Sequence, residues 1–270
     1  MAAINTWRTL KEGADGLVLA IDYPFTGRPE AGFPELAPQL DIDYALWESV
    51  PPSMGSETGM TADGYLDRWH ADVRTGGLPV RAVLGFCAGS VYAAALADRI
   101  AAEQPQAPRI VLFDPEAPNA VTVYWQFHKV IEGLGVVLRP EEVTEAQQAG
   151  QRVSDGATDL DRLRDQLLGV FGEWAQVAFD RAGLDEVRRA EFTATVTAFM
   201  TYLVAAAGID TRDGWPGATA ISSVTTTNGL NLLPEAERPA KVAREIRFDL
   251  AHADLLRSAD VAKTVADLLR

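Results

Sequence analysis

Six residues constrain this chain more than any others: Gly85-Phe86-Cys87-Ala88-Gly89-Ser90. A short apolar run, Ala82-Val83-Leu84, leads into them, and Val91 to Ala97, rich in helix formers, leads out. A strand, then G-x-C-x-G, then a helix describes a sharp turn that lifts its central side chain clear of the backbone. The positions two before and two after that residue are crowded, and glycine relieves the crowding. The same turn puts the sulfur at a helix N-terminus, where unpaired N–H groups and the helix dipole favour a thiolate. An isolated cysteine is more often a plain core residue. The paired glycines and the flanking strand and helix signals set Cys87 apart as a candidate nucleophile.

Composition narrows the possible partners of such a group. The chain has 270 residues, 47% of them hydrophobic, enough to bury one sizeable core, and a single domain over residues 1–270 is the expectation. Its one cysteine excludes an internal disulfide framework and a Cys cluster, and three scattered histidines supply no metal site, so no metal is expected. A formal charge of −14 argues against nucleic acid and anionic membrane as partners. No apolar run reads as a membrane span and the first residues carry no signal-peptide core, so a cytoplasmic location is expected.

Along the chain, Gly16 to Ile21 is a continuous apolar run between Asp15 and Asp22, which suits a strand buried on both faces. Asp22-Tyr23-Pro24-Phe25-Thr26-Gly27 follows as a turn. Phe33, Leu36 and Leu40 recur at near-helical spacing, and Ile42 to Trp47 reads as a second strand. Thr61 to Val73 carries Tyr65, Leu66, Trp69 and Val73 with helical period, stopped by Gly76-Gly77. Val80 to Leu84 feeds the turn at Cys87, and Arg109 to Phe113 is a further buried strand ending at Asp114-Pro115-Glu116.

From Ala117 to about Asp213 strand signals vanish and helical stripes replace them: Leu160, Leu163, Leu167, Phe171, Trp174 and Ala178, then Leu184, Val187, Phe192, Val196, Phe199 and Leu203. The segment 147–158, with Gln, Gly, Ser and Asp, reads as a flexible connection. Strands resume at Ala218 to Thr225 and at Glu245 to Leu250, and a helix from Ser258 to Leu269 closes the chain after His252. The class is therefore α/β: a mainly parallel sheet flanked by helices, with a helical insertion over about 117–213.

In an open parallel sheet, reactive groups gather at the carboxyl ends of the strands. Asp114 directly follows one buried strand and His252 follows the last. Nucleophile, acid, then histidine is the chain order of an α/β-hydrolase triad. In that arrangement His252 takes the thiol proton, and Asp114 holds the imidazole by its other nitrogen. Glu116 and Asp249 compete with Asp114 for the acid position. An oxyanion hole would use the N–H of Ala88 and one from the 22–27 loop; Pro24 has none, which leaves Phe25 first and Tyr23 second. Tyr23, Phe86, Tyr124 and His128 are candidate substrate contacts. No phosphate-binding loop or nicotinamide fingerprint competes with this site.

With these residues in place, the sequence resembles the thioesterase domains of nonribosomal peptide and polyketide synthases, and the free-standing thioesterases and acyl shuttles related to them. The carrying residues are Asp22 to Gly27, Gly85-Phe86-Cys87-Ala88-Gly89, Leu112-Phe113-Asp114-Pro115 and His252-Ala253-Asp254-Leu255-Leu256. The resemblance covers nearly the whole chain and implies an α/β-hydrolase fold with a helical lid. It also implies a cytoplasmic enzyme of natural-product biosynthesis with no bound cofactor. Its acyl-enzyme would be loaded from a phosphopantetheine thiol on an acyl or peptidyl carrier protein, with water, a small-molecule acceptor or a second carrier thiol receiving the group. Two departures stand out: Cys87 replaces the commoner serine, and Ser90 stands where a second glycine is frequent. A carrier-to-carrier shuttle with little hydrolysis is the alternative, and a non-catalytic binding protein on the same fold is the reading from another class.

Overall fold

The computed structural model describes residues 5–24, 28–53, 55–57, 59–212 and 214–270. The elements are β1 (Trp7–Lys11), β2 (Leu17–Ile21), α1 (Phe33–Leu36), β3 (Ala45–Ser49), α2 (Ala62–Gly76), β4 (Val80–Phe86), α3 (Gly89–Ala101) and β5 (Arg109–Phe113). Four long helices follow, α4 (Ala120–Gly133), α5 (Pro140–Ser154), α6 (Leu160–Ala182) and α7 (Glu186–Ala207), then β6 (Trp215–Ser222), β7 (Val242–Arg247) and α8 (Ala259–Leu269). The chain forms two compact units: one holds the sheet and its flanking helices, the other holds 52–60 and 118–208.

In the first unit a seven-stranded sheet runs in the order β1-β3-β2-β4-β5-β6-β7. Only β1 is antiparallel, against β3; the other neighbours run parallel. The apolar run at Gly16–Ile21 forms β2, every residue of it buried, because strands on both sides and layers on both faces leave it no solvent. The chain steps outward from β2 to β3, then returns across β2 to β4. Strand order therefore reverses beside β2 and β4, and ligands of open α/β sheets bind at the carboxyl ends of strands at such a reversal.

Helix boundaries follow local chemistry. Thr61 caps α2 by accepting from the Gly64 N–H, and Gly77 ends it in the left-handed conformation at φ 68°. Ser258 caps α8 through the Val261 N–H. Strand β1, by contrast, gives no sequence signal of its own. Its five residues alternate weakly, and Arg8 and Thr9 are exposed, as suits an edge strand. Its Arg8 reaches across the ladder to the buried Glu48 of β3.

The second unit is helical, α4 to α7 packing on one another. Three expectations change here. The segment 147–158 is not a flexible connection over its first two-thirds, since α5 runs to Ser154. Gly150 serves close helix packing: a Cβ there would lie 2.2 Å from Phe127 Cε1. The stripe along α7 is buried at Val196 and Leu203 but not at its start, where Val187 is 66% and Phe192 38% exposed. Finally, α7 is long and apolar enough, by length and composition alone, to cross a membrane. Core helices of soluble proteins share that property, and 44% of its most apolar window is buried within the structure.

Candidate active site

The turn after β4 carries Cys87 at φ 50°, a left-handed conformation unusual for a residue with a side chain. Both flanking glycines are sterically required. A Cβ on Gly85 would meet Ser90 Cα at 2.6 Å, and one on Gly89 would meet the Ile21 carbonyl oxygen at 2.3 Å. The turn is pinned by a hydrogen bond from the Cys87 N–H to Phe113 O (2.9 Å) and from the Ser90 N–H to Cys87 O (3.1 Å). Ser90, in place of a second glycine, is fully buried and donates its hydroxyl to Gly85 O at 3.1 Å, bracing the turn. Cys87 itself stays partly accessible at the N-terminus of α3.

Phe86 pairs in register with Phe113 on β5, so Cys87 and Asp114 leave the sheet side by side. Asp114 also has positive φ (42°), and it and Cys87 are the only non-glycine residues with positive φ among those described. Such conformations cost on the order of 1–3 kcal/mol each and persist where the surroundings over-determine them. Here Gly229 presses on Asp114, with room for no Cβ: one would lie 2.7 Å from Asp114 Cα. Asp114 is 0% exposed, and both its oxygens are used. Oδ1 accepts the Ser223 N–H at 2.8 Å, and Oδ2 lies 2.7 Å from His252 Nδ1.

The carboxylate against His252 is therefore that of Asp114; Asp249 points to solvent and Glu116 is half-buried. A carboxylate can only accept, so Nδ1 carries the ring proton and Nε2 is left to take another. His252 is fixed twice more. Its N–H donates to Thr225 Oγ1 at 2.9 Å, and its ring stacks on Phe86 with centroids 4.7 Å apart and planes 16° from parallel. Thus Phe86, a candidate substrate contact, packs on the imidazole.

The loop after β2 bears on the oxyanion hole. Asp22 Oδ1 accepts the Tyr23 N–H at 2.7 Å, which withdraws Tyr23 as second choice for an oxyanion donor. Phe25, the first choice, lies outside the described residues together with Thr26 and Gly27. Ala88 sits at the N-cap of α3, where first-turn N–H groups lack intrahelical acceptors. Sequence reasoning missed Arg28, whose guanidinium pairs with both oxygens of Asp22 and lies 5.6 Å from the Phe86 ring centroid. Burial works against its charge, but the Asp22 carboxylate, with smaller help from Glu30 and Cys87, keeps it above the usual arginine range.

The remaining candidates belong to the helical unit. Tyr124 and His128 meet on α4, with Tyr124 Oη 3.4 Å from His128 Nδ1, and burial pushes the Tyr124 phenol up. The arginines of this unit are largely engaged internally: Arg164 with Asp161 and Asp165, Arg181 with Glu142, and Arg189 with Asp180. Among the described residues no group of three His, Cys, Asp or Glu side chains comes together as a metal site would require.

No protein-family model matches the chain, and no curated protein does. Solved structures do match. The Vlm2 thioesterase domain bound with a dodecadepsipeptide is 15% identical at a TM-score of 0.55, covering 99% of this chain and 97% of that one. The NocB thioesterase domain, in covalent complex with a fluorophosphonate nocardicin G analogue, is 16% identical at 0.54, covering 97% and 99%. A four-domain nonribosomal peptide synthetase, holo-AB3403, aligns over 97% of this chain and 20% of its own length at 12% identity and a TM-score of 0.59. The fold is the α/β-hydrolase fold of these thioesterase domains.

Proposed function

We propose that the protein is a thioesterase-like acyltransferase that takes acyl or peptidyl groups from a carrier protein through a Cys87 acyl-enzyme. One observation carries this reading: the two strained non-glycine residues, Cys87 and Asp114, follow neighbouring strands, and Asp114 holds His252 by Nδ1. The likeness in fold to nonribosomal peptide synthetase thioesterase domains supports the substrate class.

In this reading His252 Nε2 takes the thiol proton and the thiolate attacks the carrier thioester carbonyl. The Ala88 N–H, with one from Phe25, stabilises the oxyanion. Collapse breaks the bond to the phosphopantetheine sulfur, which leaves as a thiol with the proton from His252. An incoming nucleophile then yields its proton to His252 and takes the acyl group, and the proton returns to Cys87. The acyl-enzyme is itself a thioester, nearly equal in energy to its donor. Onward transfer to another thiol or an amine is thus favoured over what an ester intermediate would allow. This chemistry supports the carrier-to-carrier shuttle as the second reading.

The test is intact mass after incubation with acyl-loaded carrier proteins. The expected result is acylation of the wild type and none of Cys87→Ala, the group then passing to water, an amine or a second carrier. A Cys87→Ala protein with near wild-type turnover would overturn the assignment.

A further inference from the structure

The stretch just past β6 holds both the acid and the base. The Ser223 N–H donates to Asp114 Oδ1 at 2.8 Å, and Thr225 Oγ1 accepts the His252 N–H at 2.9 Å. The carbonyls of the same two residues, Ser223 and Thr225, both accept from one group, Asn231 Nδ2, at 3.0 and 2.9 Å. Asn231 Oδ1 accepts in turn from Arg247 Nη2 of β7 at 2.9 Å. Carbonyls only accept and a guanidinium only donates, so these three partners fix which end of the amide is the nitrogen. Between Thr225 and Asn231 the chain turns through Gly229, whose φ of 58° lets its backbone lie against Asp114. The Thr225 N–H, on Ser223 Oγ at 3.1 Å, tightens the same turn.

We propose that Asn231 is a positioning residue for the acid and the base together: its amide clamps Ser223 and Thr225, and through them sets Asp114 against His252. The side chain suits the task because one planar nitrogen supplies two donors while the oxygen of the same group takes a third partner. An aspartate of the same size keeps the contact with Arg247 but offers only acceptors to the two carbonyls. The geometry at stake is the 2.7 Å contact between His252 Nδ1 and Asp114 Oδ2, and a misplacement of about 1 Å in such a constellation can cost on the order of 10²-fold in rate. The inference rests on Cys87 being the nucleophile that His252 serves.

The experiment is single-turnover acylation of Cys87 by a small acyl thioester in the full chain, with Asn231→Asp placed in the wild-type and Asp114→Asn backgrounds. Proton NMR of the His252 ring accompanies it. Asn231→Asp should slow acylation about 10- to 100-fold, with the half-saturating substrate concentration changed less than about twofold. In the Asp114→Asn background, where Asp114 no longer sets the ring, the same substitution should cost less than about threefold. The downfield resonance of the His252 Nδ1 proton, assigned by its loss in His252→Gln, should move or vanish in a folded Asn231→Asp. Equal losses in both backgrounds, or an unmoved resonance, would overturn the role and reduce Asn231 to a structural brace. A wild-type protein that is not acylated, with the resonance moving as expected, would instead overturn Cys87 as nucleophile and leave the positioning of His252 standing. Should Asn231→Asp fail to fold, Arg247→Ala, which releases the Asn231 oxygen at a partly exposed position, decides by the same cycle: a loss of about two- to fivefold confined to the wild-type background supports the clamp, and an equal loss in both overturns it.

Discussion

His252 and Asp114, 138 residues apart in the chain, meet at 2.7 Å between Nδ1 and Oδ2. The contact selects the tautomer of the imidazole. Asp114 Oδ1 is committed to the Ser223 N–H, so only Oδ2 faces the ring, and a carboxylate there demands a proton on Nδ1. An Asp114→Asn side chain would keep its oxygen on Ser223 and turn an NH2 toward His252. The imidazole would then accept at Nδ1 and carry its proton on Nε2, where it cannot take one from Cys87. Acylation of Cys87 should fall on the order of 10²–10⁴-fold while the fold is retained. Single-turnover acylation with a small thioester checks this; a loss below tenfold would show that the tautomer is set elsewhere.

Gly89 allows α3 to approach the end of β2, and the contact is with backbone. In Gly89→Ala the new methyl would sit 2.3 Å from the Ile21 carbonyl oxygen, which cannot rotate away. The turn must shift, at a cost of about 1–3 kcal/mol. Both the melting temperature and the acylation rate should drop, since the same shift moves Cys87. A variant with wild-type melting and rate would mean that the turn relaxes at no cost.

Within the helical unit, Glu142 joins α5 to α6. Hydrogen bonds from Arg181, then from Arg139, hold its carboxyl far below the usual carboxylate range. A carboxyl depressed in the folded state stabilises the fold above its unfolded value, near 4.5, and that stability is lost as pH falls toward the folded value. Glu142→Gln should therefore melt earlier than wild type at pH 7, with the gap shrinking steadily below about pH 4.5. Melting curves at descending pH read this directly, and a gap independent of pH would remove the charge from the explanation.

Carrier domains are usually acidic, so on the proposed function docking would call for free positive charge on a chain whose formal net charge is −14. Arg164, Arg181 and Arg189 are committed to neighbouring carboxylates, whereas Arg162 is exposed and Arg188 lies 3.8 Å from Asp185 with most of its side chain in solvent. Charge reversal at Arg162 and Arg188 should raise KM several-fold for a carrier-bound substrate and spare a small thioester, with the difference fading at high salt. Equal losses on both substrates would point to a general effect on the helices.

Much of the fold was legible because its signals are local. Buried β2, the stop of α2 at Gly77, the cap of α8 and the crowded glycines around Cys87 depend on residues a few positions apart or on the apolar period of one element. The site was legible in part for the same reason: Asp114 and His252 each follow a strand run. The sequence alone thus determined the α/β class, the candidate nucleophile and a short roster of partners.

Tertiary structure decided which partner is used. Asp114 rather than Glu116 or Asp249 meets His252 because β6 lies beside β5, and the Ser223 N–H that follows β6, with Gly229, holds Asp114 in place; order along a sheet has no local period to read. For the same reason β1 and the pressure of Gly229 on Asp114 left no trace in the sequence pattern. The Arg28–Asp22 fork joins residues only six positions apart, yet it goes with Asp22 anchored by Ser49 of β3 and Arg28 set over Phe86, contacts that no local pattern reveals.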